Sequence, residues 1–241
     1  MTRKTPENIA AIEETQRAAA AAMEAVISYL HAAPAPTSEE AHALIDKVLL
    51  EHDCESPTGH IVASGVQAAE PHERGTGPIS RGVAVVIDIF PRSKKTGYFA
   101  DMTRTICLGE PPPHIQKMFD AVVGAQELAE SLVRPGAACG ALQEAVEKFF
   151  SKRGFETSGK GKEFAFAEGF VHGVGHGVGL EVHEAPRIGR KSEDVLAEGD
   201  VVTIEPGLYY PKWGGVRMED MVLVTATGCR NLTQFNKELI H

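Results

Sequence analysis

The sequence predicts one α+β domain over residues 1–241. Helical and strand-like segments alternate along the chain, no linker divides them, and a strand ending in an acid occurs twice. A chain of 241 residues can bury enough apolar surface to carry a costly polar site.

Residues 6–31 read as one long helix. Thr5 is placed to cap it and Pro6 suits its first turn; its Ala-rich body favours helix until Pro34 and Pro36 stop it. A second helix starts at Thr37 or Ser38, has Glu39 and Glu40 near its N-terminus, and runs to about His52. Residues 61–64 form a short strand, followed by a Gly- and Pro-rich loop over 65–82. Residues 83–90 are an apolar run broken by Asp88, the pattern of a buried strand. Pro111, Pro112 and Pro113 introduce a helix over 114–133, and Pro135 and Gly136 break the chain before another helix to about Gly154. A polar loop is expected over 157–162. Beyond it come a His/Gly segment over 170–186 and two strand-like runs, 201–204 and 216–225.

The internal echo joins Gly82-Val83-Ala84-Val85-Val86-Ile87-Asp88 to Gly199-Asp200-Val201-Val202-Thr203-Ile204-Glu205. Each is an apolar strand that ends in an acid and is followed by a turn. A second strand then brings another acid, Asp101 or Glu219. Two similar halves would place all four carboxylates around a shared axis.

Composition excludes several classes of function. With 43% hydrophobic and 24% charged residues, the chain is that of an ordinary soluble globular protein. Lys plus Arg number 24 against 33 Asp plus Glu, and the net charge of −9 argues against nucleic acid or an anionic membrane as partner. No run approaches the roughly 20 apolar residues that span a bilayer, and the polar start has no signal-peptide core. Cys54, Cys107, Cys139 and Cys229 are scattered, which predicts reduced thiols in a cytoplasmic protein.

The acids inside apolar strands carry the first chemical signal, because an ionised carboxylate is rarely buried unless it is paired or bound to metal. Asp88, Glu205 and Glu219 all stand in such runs. Pairing with Arg104 or Arg217 is the plainer explanation, but two strand-embedded arginines cannot neutralise four acids. The second signal is the segment Val171-His172-Gly173-Val174-Gly175-His176-Gly177-Val178-Gly179-Leu180-Glu181-Val182-His183-Glu184. Glycine allows close backbone approach, and imidazole supplies a ligand or an acid/base group. The spacing is not HExxH, so a single helical zinc site is not indicated.

These blocks resemble the metal-dependent peptidases of the methionine aminopeptidase and Xaa-Pro peptidase superfamily, family M24. The matching residues are Asp88; Tyr98-Phe99-Ala100-Asp101-Met102-Thr103-Arg104-Thr105; His176 through Pro186; Glu205-Pro206-Gly207-Leu208-Tyr209; and Gly214-Gly215-Val216-Arg217-Met218-Glu219-Asp220. The resemblance implies a pita-bread fold of two pseudo-symmetric α/β halves around a dinuclear metal site. It implies that Asp88 chelates one metal, that Asp101 and Glu219 bridge two, and that His176 and Glu205 complete the other. An oxygen-rich set with one imidazole suits Mn(II) or Co(II) as well as Zn(II), with Mn(II) favoured. Water in such a site becomes a nucleophile near neutral pH. Glu205 would also shuttle the proton, and His183 would steady the tetrahedral intermediate.

His172, the Leu180-Glu181-Val182 run and Arg217 resemble the Xaa-Pro branch, with His172 as a catalytic and substrate-contacting histidine. His72, His172, His183 and Arg217 are the expected substrate-binding residues. The implied activity is hydrolysis of the N-terminal Xaa-Pro bond of dipeptides or short peptides. A methionine-type or broad-specificity aminopeptidase, and a non-catalytic peptide-binding relative, stay open as alternatives. The expected partner is a peptide substrate, with a homodimer left open. The chain departs from the family pattern at Phe90, where a Gly is usual, and in a turn through Arg92-Ser93-Lys94-Lys95 that is about two residues longer. It reads as the catalytic domain alone, without the N-terminal domain of longer prolidases.

Overall fold

Helix α1 (Pro6–Ala32) begins as its sequence dictates: Thr5 Oγ1 accepts the Asn8 N–H, and Asn8 Oδ1 accepts the Thr5 N–H in return. Helix α2 (Ser38–Glu51) is capped by Thr37, whose hydroxyl accepts the Glu40 N–H. The computed structural model describes residues 3–157 and 168–239. Of the polar loop expected over 157–162, all but Thr157 lies outside the described residues.

The two helices pack on an antiparallel sheet ordered β2-β3-β5, made of β2 (Ile61–Ser64), β3 (Ala84–Ile89) and β5 (Met102–Cys107). A short pair, β1 (Cys54–Glu55) with β4 (Arg92–Ser93), flanks it. Met23, Val26 and Leu30 of α1 and Ile45 and Leu49 of α2 meet Val85, Ile87 and Ile89 of β3 in one core. Side chains alternate across a strand, so Asp88 faces away from these helices.

The second half repeats the plan. Helices α3 (Pro113–Leu132) and α4 (Cys139–Lys152) cover a five-stranded antiparallel sheet. Its order is β12-β11-β8-β6-β7, with β6 (Gly175–Gly177), β7 (Glu184–Ile188), β8 (Val201–Ile204), β11 (Asp220–Val224) and β12 (Cys229–Asn231). A separate hairpin joins β9 (Gly207–Tyr210) to β10 (Gly214–Arg217). Val122 and Ala125 of α3, Val146 and Phe150 of α4, and Val202, Ile204, Val222 and Val224 form the larger core. The sheets of the two halves meet where the Glu219 N–H donates to Thr103 O at 3.1 Å.

Two readings of the sequence need correction. The run 216–225 is not one strand: it breaks at Met218 and Glu219, where Met218 N–H bonds Pro206 O and Glu219 N–H bonds Thr103 O. β10 therefore pairs with β9, and β11 joins the large sheet. The residues after Pro206 continue as β9, because β10 supplies them with a partner that the sequence does not announce. The loop over 65–82 also opens with a 3₁₀ turn, Gly65–Ala69.

Candidate metal centre

Each expected ligand stands at or beside the end of a strand. Asp88 lies on β3, Asp101 just before β5, His176 on β6, Glu205 just after β8, and Glu219 between β10 and β11. Gly175 lets β6 come close enough to deliver the histidine, since a Cβ there would sit 2.0 Å from Thr203 O. The Thr203 hydroxyl then accepts the His176 N–H at 3.0 Å and lies 3.2 Å from Glu205 Oε1, to which it donates. All five residues line one cavity of about 600 Å³, together with His72, His172, His183 and Arg217.

Asp101, His176 and Glu219 offer ligand atoms within 4.8 Å of one another, and all three are buried. His176 Nδ1 donates to Gly177 O at 3.2 Å, which turns Nε2 toward Glu205 Oε1 at 3.2 Å and Asp101 Oδ2 at 3.7 Å. That backbone bond orients the ring as a metal-ligating imidazole requires. Thr103 Oγ1 donates to Glu219 Oε2 at 2.6 Å. Asp88 Oδ2 is held by Arg217 Nη2 at 2.6 Å, while its Oδ1 is buried with no hydrogen-bond partner among the described residues.

The electrostatics of the cavity are those of a cation site. Burial pushes Asp101 and Glu219 well above the usual carboxylate range, and the surrounding carboxylates push them further. Asp88 is raised by burial, which the Arg217 charge only partly offsets. Burial also penalises ionised Glu205, but its hydrogen bond to His176 and the neighbouring charges prevail and bring its pKa to about 2. Burial opposes a charge on His176, yet Glu205 raises its pKa. The donor set, the orphaned Asp88 oxygen and the crowded carboxylates all fit a divalent metal ion.

Behind the acids runs a chain of hydrogen bonds. Arg217 Nη1 donates to Tyr209 OH at 2.8 Å, and that hydroxyl lies 2.9 Å from His172 Nε2. His172 Nδ1 is 2.8 Å from Gly173 O, and burial lowers its pKa, so the ring is neutral, donates from Nδ1 and accepts the tyrosine proton at Nε2. Arg217 also donates to Thr103 Oγ1 and Pro71 O, which commits most of its guanidinium inside the protein. Arg104 pairs with Asp220 at 2.7 Å and meets Glu219 only at its backbone carbonyl, so of the two strand arginines only Arg217 reaches the carboxylate of an expected ligand. His183 sits edge-on to His176 with ring centroids 4.3 Å apart, and His183 and His72 are both exposed to the cavity. Phe90 lines the cavity, whereas the longer turn pairs away from it as β4 on β1.

Tyr209 and Thr103 carry no role in the sequence reading. No local signal marks Tyr209, because the strand that carries it, β9, exists only through its pairing with β10. Thr58, His60, Arg74 and Arg187 also line the cavity, and scattered single residues of this kind leave no motif.

Residues 10–226 match the profile of metallopeptidase family M24. The chain belongs to that family. It is 36% identical over 239 residues to an Xaa-Pro dipeptidase from Pyrococcus furiosus, covering 98% of this chain and 64% of the relative. Among solved M24-like structures it is similar to the prolidase from Pyrococcus horikoshii OT3, at TM-score 0.88 and 35% identity, covering 99% and 65% of the two chains. It is also similar to X-Pro aminopeptidase from Thermotoga maritima MSB8, at TM-score 0.87 and 29% identity, covering 99% and 64%. The fold is thus of the pita-bread type, and the chain spans a little under two thirds of these relatives' length. Among the described residues no helix is long and apolar enough to cross a membrane.

Proposed function

We propose that this M24 domain is a cytoplasmic, dinuclear metal-dependent exopeptidase that hydrolyses the N-terminal Xaa-Pro bond of dipeptides or short peptides. The observation that carries the reading is that five ligand-type residues and four substrate-type residues, read from separate parts of the sequence, line one cavity. Asp88, Asp101 and Glu219 would hold one ion, and Asp101, Glu219, His176 and Glu205 the other, with Mn(II) favoured. Such ions supply Lewis acidity and a water activated at neutral pH.

The chain's own residues do the rest. Glu205, ionised beside His176, takes the proton from the attacking water and returns it to the leaving amine. His183, whose pKa is lowered by burial and by His176, is neutral and donates an N–H to the developing oxyanion. His172, fixed by Tyr209, contacts the substrate, and His72 flanks the leaving group. Arg217 anchors the Asp88 carboxylate and closes that side of the cavity.

The test is to strip the protein with a chelator, reload it with Mn(II), Co(II) or Zn(II), and measure bound metal beside hydrolysis of Ala-Pro, Ala-Pro-Ala and Met-Ala. Two metal equivalents and cleavage confined to the proline peptides are expected. Cleavage of Met-Ala alone, or full activity without metal, would sink the reading.

A further inference from the structure

The 600 Å³ cavity does not end at the metal centre. Thr58, His60 and Arg74 are shared with a second cavity of about 410 Å³, whose other walls include His42 and Asp46. Arg74 is set there by its own backbone and by a glycine. Its carbonyl accepts the Val62 N–H at 2.9 Å and lies 3.0 Å from His42 Nε2. Its guanidinium lies across Gly59, where a Cβ would stand 1.3 Å from Nη2. The side chain reaches only Thr58 O, at 3.4 Å, and pairs with no carboxylate among the described residues. The adjacent Glu73 is turned back onto the Gly75 N–H and does not neutralise it.

Beside it, His60 is 3% exposed, and its Nδ1 has no hydrogen-bond partner among the described residues. Burial and the neighbouring His42 bring its pKa down to about 4, so the ring is uncharged at neutral pH and Arg74 is the cation of this passage. Asp46, 3.9 Å from His60 Nδ1, is the opposing charge on the second cavity's wall. Arg74 shares the loop of His72, the residue assigned above to the leaving-group side.

We propose that Arg74 determines specificity by binding a carboxylate that lies beyond the proline of a peptide longer than a dipeptide, with the rest of that peptide running into the second cavity. The carboxylate is an acidic side chain or the peptide's C-terminus. This rests on the Xaa-Pro reading of the metal site. The exposed, unpaired guanidinium that lies across Gly59 on the cavity wall offers its fork to a carboxylate, and the second cavity gives the chain room to continue.

The test uses the Mn(II)-loaded protein and four peptides: Ala-Pro-Ala-Glu-amide, Ala-Pro-Ala-Gln-amide, Ala-Pro-Ala-Lys-amide and Ala-Pro-Ala-Gln with a free C-terminus. Wild type is expected to hydrolyse the acidic amide with a kcat/KM about tenfold above that of the neutral amide. The free-acid peptide shows whether the C-terminus serves as well. Arg74→Gln should collapse the preference, Arg74→Glu should shift it to a Lys peptide, and Asp46→Asn should widen it. Equal rates on the neutral amide and on both carboxylate-bearing peptides in wild type, or a preference that survives Arg74→Gln, would overturn the proposal. If no proline peptide is hydrolysed, the Xaa-Pro reading fails and calorimetric binding of the acidic and neutral amides decides. Acid-selective binding lost in Arg74→Gln sustains the subsite; unselective binding or none overturns it.

Discussion

The four acids of the site come in two kinds, and the difference lies in who compensates their charge. Of the outer acids, Asp88 is paired with a permanent cation of the protein, Arg217 at 2.6 Å, and Glu205 with the His176 imidazole at 3.2 Å, a ring that also lies 3.7 Å from Asp101. Among the described residues no arginine or lysine pairs with the carboxylates of the inner acids, Asp101 and Glu219; Arg104 meets Glu219 at its backbone carbonyl, and the Thr103 hydroxyl meets its carboxylate. The strand registers follow the same division unevenly. The β3–β5 ladder runs one rung past Asp88, which faces Thr103, so the sheet itself fixes that acid. The β8–β11 ladder stops at Ile204 and Asp220, and both Glu205 and Glu219 project beyond it. The protein thus neutralises Asp88 with a permanent charge of its own and leaves the inner acids to a bound cation.

The largest expected effect separates the two kinds directly. Asp101→Asn and Glu219→Gln should each lose both metal equivalents and lower kcat/KM by more than about 10³-fold, since a shared ligand is lost and the remaining acids repel. Asp88→Asn should lose one equivalent and keep the other. Metal analysis beside peptide kinetics checks this. An Asp88→Asn protein as empty of metal as Asp101→Asn would erase the distinction between inner and outer acids.

That distinction was only half legible in the sequence. The helices, the strands β2 and β8 and the acid-bearing runs follow from local periodicity and capping, as at Thr5, Thr37 and Asp88, and local rules suffice for them. Asp88, Glu205 and Glu219 stood out because charge inside an apolar strand is chemically odd, Asp101 through the internal echo and His176 through the Gly-rich histidine segment. Only the resemblance to family M24 implied that all five are ligands. What the sequence did not disclose depends on distant partners. The break at Met218 and Glu219 is decided by Thr103 O, 116 residues away. Tyr209 acquires a role only when Arg217 and His172 close around its hydroxyl. Arg104 and Arg217 look alike as strand arginines, and only the fold sends one to Asp220 and the other to Asp88.

The next effect tests the compensation of an outer acid. Arg217 is 3% exposed, so Arg217→Met strands a buried Asp88 charge and should cost about 3–5 kcal/mol of stability. Urea unfolding of the metal-free protein, at unchanged m-value, measures it. Asp88→Asn in the same background should restore most of the loss, because the partner left behind is then neutral. A loss of under about 1 kcal/mol, the range of exposed pairs, would mean that Arg217 does not neutralise Asp88 in any useful sense.

The smallest effect probes the inner acids without metal, and its sign is fixed by their raised pKa values. Folded Asp101 and Glu219 keep their protons to higher pH than in the unfolded chain, where the ordinary values are 3.8 and 4.5. Their contribution to stability is therefore full below those values and is lost as pH rises through the folded ones. Glu205, lowered from 4.5 to about 2, acts in the opposite sense, but only below pH 4.5. Above that pH the metal-free Asp101→Asn protein should melt higher than metal-free wild type, by a margin that grows toward neutrality to about 2–4 °C for each kcal/mol relieved. Added Mn(II) should reverse the order, because the ion stabilises only the protein that binds it, by about 2.7 kcal/mol at 100 times its Kd. Calorimetric scans of both proteins from pH 5 to 7.5, with and without Mn(II), read the two margins. A metal-free Asp101→Asn that melts below wild type throughout would show that the inner acids are compensated within the protein after all.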